Sequence, residues 1–332
     1  MRILVLLLSM AMPMCLFAQE SVTMRAIQLQ EFGGPEVLEV REIARPVAAE
    51  GELLIRVRAA GINPVDTGTR SGRTAALTGA VPPYVPGFDV SGVVAAVGPG
   101  VTEFEVGDEV FAMLSLRRGG GYAEYAIVRV DEAAPKPTRV THAEAASIPL
   151  VALTAWQTLF EIADLQAGQT VLIHAGAGGV GSIAIQLAKW RGATVIATAS
   201  DYNQDFLREL GVDVPVDYRN QRFEDYASEV DVVLGSIGGE TQVRSMAVLR
   251  EGGILVSIVG LTREGRNPSR NIRVTSTLVQ PNAQQLSRIG DLLEQGIVRP
   301  IVTYRFPLHR APEAHEQSET RRTRGKIVLE ID

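Results

Sequence analysis

One segment limits the fold more than any other. In Val171-Leu172-Ile173-His174-Ala175-Gly176-Ala177-Gly178-Gly179-Val180-Gly181 an apolar run leads directly into Gly176, Gly178 and Gly181 at the spacing G-x-G-x-x-G. Where such glycines follow a strand and open a helix, they form a dinucleotide-binding turn. Gly176 permits the tight turn, Gly178 lets the backbone approach a pyrophosphate, and Gly181 lets the helix pack close to the strand. The helix N-terminus then offers unpaired N–H groups and partial positive charge to the phosphates. Val180, Ile183 and Leu187 recur at helical spacing and are expected to face the sheet. A turn with no ligand would carry the same glycines, so the argument rests on the strand-turn-helix-strand context.

That context continues on both sides. From Ala143 the pattern is βαβ, with a helix around Leu150 to Ile162, a strand Val171 to His174, a helix, and a strand Ala193 to Ala199. Val232 to Leu234 and Ile254 to Val259 follow as further strands, each after a helical or polar segment. A parallel, doubly wound α/β sheet is implied. Upstream, from Met24 to about residue 147, strand-like segments alternate with turns. Ile55, Val57 and Ala59 face one way and Arg56 and Arg58 the other, the period of a half-buried strand. Val90 to Val97, broken by Gly92, and Tyr122 to Val128 read as strands of an all-β, loop-rich domain. The last fifty residues give a helix near Ala283 to Glu294 and strands Ile301 to Phe306 and Ile327 to Ile331. An edge strand near Ile272 to Val279 would stay unpaired in a monomer, so a homodimer is expected.

Composition narrows the chemistry. The 332 residues suffice for two domains with real cores. A formal charge of -6, with 38 acids among 32 bases, offers no basic field for nucleic acid. The single cysteine excludes an internal disulfide and every multi-cysteine zinc site. Residues 1–19 read as a secretory signal peptide, with Arg2 ahead of apolar Ile3 to Phe17 and small Ala18 before polar Gln19. An exported, periplasmic protein follows from that reading, and a cytoplasmic one if translation starts at Met24. The apolar run is shorter than the roughly 20 residues that cross a bilayer and Pro13 interrupts it, so no stable membrane anchor is expected. Cys15 lacks the small residues that precede a lipid-attachment site.

The choice of dinucleotide lies at the end of the second strand, where an acid would hold the ribose diol of NAD. Ala199 and Ser200 leave room for a 2'-phosphate and present no charge to repel it, which favours NADP(H). Asp201 is the ribose acid if the register slips by one or two residues.

Several spaced motifs carry a family resemblance. They are Met24-Arg25-Ala26-Ile27, Phe32-Gly33-Gly34-Pro35-Glu36-Val37-Leu38, Ala60-Gly61-Ile62-Asn63-Pro64-Val65-Asp66-Thr67, Pro86-Gly87-Phe88-Asp89-Val90-Ser91-Gly92, Thr154-Ala155-Trp156, Val216-Asp217-Tyr218 and Arg324-Gly325-Lys326-Ile327-Val328-Leu329. Together they resemble the zinc-free medium-chain dehydrogenases/reductases, in the quinone oxidoreductase and zeta-crystallin branch, over essentially everything after residue 23. The resemblance implies a GroES-like, β-rich catalytic domain over residues 24–147, completed by 281–332, beside a Rossmann NADP(H)-binding domain over 148–280, with the active site between them. Zinc alcohol dehydrogenases place Cys where this chain has Asn63 and Gly-His-Glu where it has Gly87-Phe88-Asp89; neither Asn63 nor Phe88 is a good zinc ligand. The scattered histidines His142, His174, His309 and His315 read as surface or element-end residues. No metal is expected.

Without a Lewis acid, an acceptor that is already electrophilic is favoured, and quinones and α,β-unsaturated carbonyls qualify. The resemblance implies Asn63 as a hydrogen-bond donor in catalysis, Asp66 or Thr67 shaping the pocket, and Thr154 near the nicotinamide. Asn63 could equally be a turn residue before Pro64. The cofactor set is Thr154, Gly176, Gly178, Gly179, Val180, Gly181, Ser200, Tyr218, Gly260, Arg324 and Lys326, with Arg322 a further candidate cation. Three departures from the family stand out. Gly68 replaces a frequent Tyr, removing an obvious phenolic donor. Tyr202-Asn203-Gln204 replaces the usual cation after the second strand, and Gly235 replaces an Asp. The leading reading is an NADPH-dependent, zinc-free reductase of quinones or enones. A non-catalytic NADPH-binding protein of the same fold and an alcohol dehydrogenase are the alternatives.

Overall fold

The computed structural model describes residues 22–268 and 270–332, so the signal-peptide reading of residues 1–19 and Cys15 lie outside the described residues. The chain begins with an antiparallel ribbon, β1 (Thr23–Gln28) on β2 (Glu39–Ala44). Next comes β3 (Glu52–Ile62), in which Leu53, Ile55 and Val57 are buried and Arg56 is exposed. The N-terminal domain is not all β: α1 (Pro64–Arg70) and α2 (Ala75–Thr78) interrupt it. Pro64 sits in the first turn of α1, where its missing N–H costs nothing, and Asn63 and Asp66 form a capping box. Asn63 is thus the residue that starts a helix, not part of a simple turn.

β4 (Asp89–Val97), β5 (Glu109–Met113), β6 (Tyr125–Arg129) and β7 (Ala133–Pro135) complete this stretch. Gly92 does not break β4. A Cβ there would lie 2.1 Å from the Arg56 carbonyl oxygen, so glycine is required by the close approach of β3. The chain then enters α3 (His142–Ala146) and α4 (Pro149–Trp156), whose eight residues are all buried. The long helix expected here stays α-helical only to Trp156 and widens to π-helical turns over Gln157–Ile162.

The second domain runs β8 (Thr170–Ile173), α5 (Gly179–Arg191), β9 (Thr194–Ala199), α6 (Gln204–Glu209), β10 (Val214–Asp217), β11 (Val230–Gly235), α7 (Glu240–Ala247), β12 (Leu249–Ser257), α8 (Arg263–Arg266) and β13 (Arg273–Ser276). Its strands are parallel in the order β10-β9-β8-β11-β12-β13. The order reverses between β8 and β11, and in such sheets the ligand crevice opens there, at the carboxyl ends of the strands. The edge strand β13 is shorter than the sequence suggested.

After α9 (Ala283–Glu294) the chain returns to the first domain through β14 (Val302–Pro307), α10 (Ala311–Glu319) and β15 (Lys326–Glu330). The larger sheet is ordered β14-β15-β3-β4-β5-β7, with β6 also on β3. A single apolar cluster joins the domains, with Phe111 and Met113 of β5, Leu150 and Leu153 of α4, and Val171 and Ile173 of β8 among its members. Each fully buried side chain of that size stabilises by about 1.5–3 kcal/mol, so α4 fixes one sheet against the other.

Candidate active site at the domain seam

The glycine turn is built as the sequence requires, for three different reasons. A Cβ on Gly181 would lie 2.3 Å from the Ala175 carbonyl oxygen, so that glycine serves close packing of α5 on its strand. A Cβ on Gly176 would crowd Leu207, Ala197 and Ile185 at 3.0 to 3.2 Å. A Cβ on Gly178 would meet only the Ala175 oxygen, at 3.3 Å. That single contact is tight, but the fold demands less at 178 than at 176 or 181. The open space in front of it fits a pyrophosphate that must touch backbone, and α5 begins at the next residue with its N–H groups facing that space. Val180 is half-buried against the core, with Ile183 and Leu187 beneath it.

The turn is also clamped from across the seam. Gly325 donates its N–H to the Ala177 oxygen at 2.8 Å and pairs with Gly178. Gly325 has φ +61° and a Cβ there would strike the Ile301 oxygen, so only glycine passes this point easily. Its neighbour Arg324 donates to the Asn203 Oδ1 at 2.8 Å and to the Tyr202 oxygen at 3.2 Å, and lies over the Phe206 ring. Arg324 therefore ties the C-terminal segment to the loop after β9, at the end of the crevice where an adenosine ribose would lie.

At that end Ser200 is buried, and its Oγ accepts from the Asn203 amide. Tyr218 is exposed. Asp201 lies 3.4 Å from Arg219, and its charge is partly answered there instead of facing a ribose diol unpaired. Sequence reasoning passed over Arg219, a cation that follows the third strand, beside Tyr218, whereas one was expected after the second. Arg322 is exposed. Gly235 is not sterically required, because a Cβ there would make ordinary contacts of 3.4 to 3.5 Å. Gly260, after β12, accepts from Ser257 and Gln242.

On the catalytic side, four polar side chains share a dry site. Asp66 accepts from the Asn63 backbone N–H at 2.7 Å and from the Gly87 N–H at 3.1 Å. Asp89 accepts from the Leu150 N–H at 2.7 Å and from the Asn63 Nδ2 at 2.8 Å. Lys326 donates to the Ile62 oxygen at 2.7 Å and to the Asn63 Oδ1, and its Nζ lies 3.7 Å from Asp89. All four are buried. Burial pushes both carboxyls up from their ordinary range and the Lys326 ammonium down, and their mutual attraction resists those shifts. The hydrogen bonds compensate the cost of taking the charges out of water.

This arrangement changes three expectations. Asn63 is wholly buried with both ends of its carboxamide engaged, where a freely presented donor was expected. Asp66 lies behind it as a cap for α1, and Thr67 is buried with its hydroxyl on the Pro64 oxygen. Lys326, expected at the cofactor, reaches past the glycine turn to Asn63. Thr154 is buried in α4, donating to the Leu150 oxygen. The signal for Asp89 was present in the sequence, as a lone acid inside the apolar run Phe88-Asp89-Val90. Gly68 has a packing reason: a Cβ there would lie 2.8 Å from Thr74, which leaves no room for a tyrosine. Two of the four histidines are buried: His174, at the end of β8 as expected, contacts Thr198 and Ser245, and His315, inside α10 and contrary to expectation, contacts Tyr122.

The two positions compared with zinc ligands hold groups poorly suited to zinc. Phe88 is packed in the core, and the Asn63 carbonyl already accepts from an ammonium. Among the described residues, no three His, Cys, Asp or Glu side chains gather where they could hold a metal.

Residues 49–138 match the alcohol dehydrogenase GroES-like domain, and residues 210–329 match a family described as zinc-binding dehydrogenase. The NADPH-dependent alkenal/one oxidoreductase of Arabidopsis thaliana chloroplasts is 36% identical over 317 residues, covering 92% of this chain and 79% of that protein. Among solved structures, the quinone oxidoreductase of Coxiella burnetii superposes with a TM-score of 0.88 at 36% identity, over 94% of this chain and 100% of that one. A mycobacterial protein solved in complex with NADPH gives a TM-score of 0.83 at 32% identity, over 92% and 100%.

Proposed function

The chain belongs to the medium-chain dehydrogenase/reductase superfamily, among its quinone oxidoreductases and enone reductases, and from that premise we propose that it takes hydride from NADPH in preference to NADH. It is an oxidoreductase that reduces quinones or α,β-unsaturated carbonyls with a nicotinamide cofactor. The observation that carries the cofactor reading is the open space before Gly178 at the mouth of α5, closed from the other side by Gly325. The preference for NADPH is supported by Ser200 at the strand end, by the engagement of Asp201 with Arg219, and by the NADPH named for two of the relatives.

The residues divide the work along the crevice. Backbone N–H groups at the start of α5 would hold a pyrophosphate, and Tyr218, Arg219 and Arg324 would be the groups for a 2'-phosphate. When bound, the nicotinamide supplies a hydride to the conjugated acceptor. The electron pair displaced in the acceptor settles on its carbonyl oxygen, and solvent supplies the proton, to that oxygen of a quinone or to the α-carbon of an enone, since Gly68 offers no phenol. Asn63, Asp66, Asp89 and Lys326 form the rigid floor beneath this exchange, and Thr154 shapes its inner wall.

The test follows nicotinamide absorbance with the purified chain, a chelator and a panel of quinones and short enones. Turnover unaffected by the chelator and at least about tenfold better with NADPH is expected; one charge-assisted contact to a phosphate is worth about that much. Arg219→Ala should raise KM for NADPH several-fold and leave NADH unchanged. Cofactor binding with no turnover on any acceptor would favour the non-catalytic reading.

We also propose a homodimer formed through β13, whose outer edge carries exposed or half-buried side chains. Light scattering at micromolar concentration should give twice the monomer mass, and a monomer alone would remove the proposal.

A further inference from the structure

Lys326 stands at a junction that the cofactor reading does not explain. It is one residue past Gly325, which is pinned to the glycine turn through Ala177. Its side chain passes close beside that turn, where a Cβ on Gly179 would lie 2.9 Å from the Lys326 Cδ. Its Nζ then reaches the last residue of β3, through the Ile62 oxygen, and the first cap of α1, through Asn63.

The chemistry of these partners leaves one arrangement. An ammonium can only donate, so the Asn63 Oδ1 must face Lys326; a carboxylate can only accept, so the Nδ2 must face Asp89. Asn63 is thereby held by both ends, and its own N–H is held by Asp66. The helix that it starts carries Val65, which packs against the apolar cluster shared by the two domains. The first turn of α1 is thus joined to the segment beside the glycine turn by this side chain, in addition to the backbone pairing of Ile327 with Ile62. Hydride transfer depends steeply on distance, since a displacement of about 1 Å can cost about a hundredfold in rate.

We propose that Lys326 is a positioning residue of the reductase reaction: it spans from the cofactor turn to Asn63 and fixes the acceptor side of the cleft at hydride-transfer distance. This deepens the reductase reading and rests on it. Its partners are therefore protein atoms, and the cofactor phosphates are not among them.

The test compares wild type with Lys326→Met, Lys326→Arg, Asn63→Ala and the double variant Lys326→Met/Asn63→Ala, with an enone that the wild type reduces. Lys326→Met should lower kcat about a hundredfold, raise the deuterium isotope effect from NADPH labelled at C4, and leave the Kd for NADPH within about threefold. Lys326→Arg should recover at least a tenth of the activity. The double variant should lose no more than the worse single one, because both changes break one linkage. If Lys326→Met does not fold, Lys326→Gln carries the same measurements. A rise in the Kd for NADPH that accounts for the whole loss would assign Lys326 to the phosphates and overturn the proposal. Losses that multiply in the double variant would overturn it too. A wild type that reduces no enone or quinone would instead remove the reductase reading itself.

Discussion

Gly178→Asp is expected to weaken NADPH binding at least about a hundredfold while the protein stays folded with a Tm within a few degrees of wild type. The Cβ of the new residue meets one close neighbour, the Ala175 oxygen at 3.3 Å, which has to give by only a few tenths of an ångström. Gly178 has φ -78° and ψ 178°, an extended conformation open to any residue, so no backbone strain is added. The carboxylate then points into the space that a pyrophosphate needs. Two like charges about 4 Å apart near a protein surface repel by about 4 kcal/mol, and a hundredfold loss of affinity requires only about 2.8 kcal/mol. Cofactor titration by protein fluorescence, with a thermal melt of the same sample, checks both halves. Gly181→Ala supplies the contrast: its Cβ would sit 2.3 Å from the Ala175 oxygen, so it should lower the Tm before it affects binding. Unchanged affinity in folded Gly178→Asp would remove the cofactor from this turn.

How far such residues could be read beforehand depends on what the chain must do locally. The glycine turn, the helix after it and the parallel strands were legible because their constraints are short-range: period, turn geometry and close approach lie within a few residues. The start of α1 was missed. Asn63-Pro64 reads as a turn, and only the capping bond from Asp66 three residues on turns it into a helix start. Lys326 is expected at the cofactor only through the family resemblance of its segment. Its true partners, Ile62 and Asn63, lie more than 260 residues earlier, and no local pattern records that β15 pairs with β3. Arg219 was missed for the opposite reason. A cation was sought after the second strand, whereas neighbouring parallel strands bring the end of the third to the same place. The seam of the two domains is where sequence reasoning ran out, because every contact there is long-range.

The histidines show the same limit and give the second large effect. Both buried imidazoles should make the protein acid-sensitive in a range where most carboxylates are still ionised. Burial lowers His174 to about 4 and His315 to about 3, with Arg244 beside the first and Arg70 beside the second adding repulsion. An unfolded histidine titrates near 6.5, so between that value and the folded value the unfolded chain binds a proton that the native state refuses. Stability from each neutral histidine is therefore complete above about pH 6.5 and declines as pH falls toward 4. At pH 5 each costs up to about 2 kcal/mol relative to pH 7. Asp66 and Asp89 oppose this, because carboxyls raised by burial hold protons in the native state that the unfolded chain releases. Comparing variants isolates the histidines from that opposing pair. Urea unfolding of wild type, His174→Gln and His315→Gln at pH 7 and pH 5 should show each variant losing about 2 kcal/mol less than wild type over that interval. Parallel losses in all three, or the His174 and His315 resonances titrating near 6.5 in the folded protein, would show that these rings are not held neutral by the core.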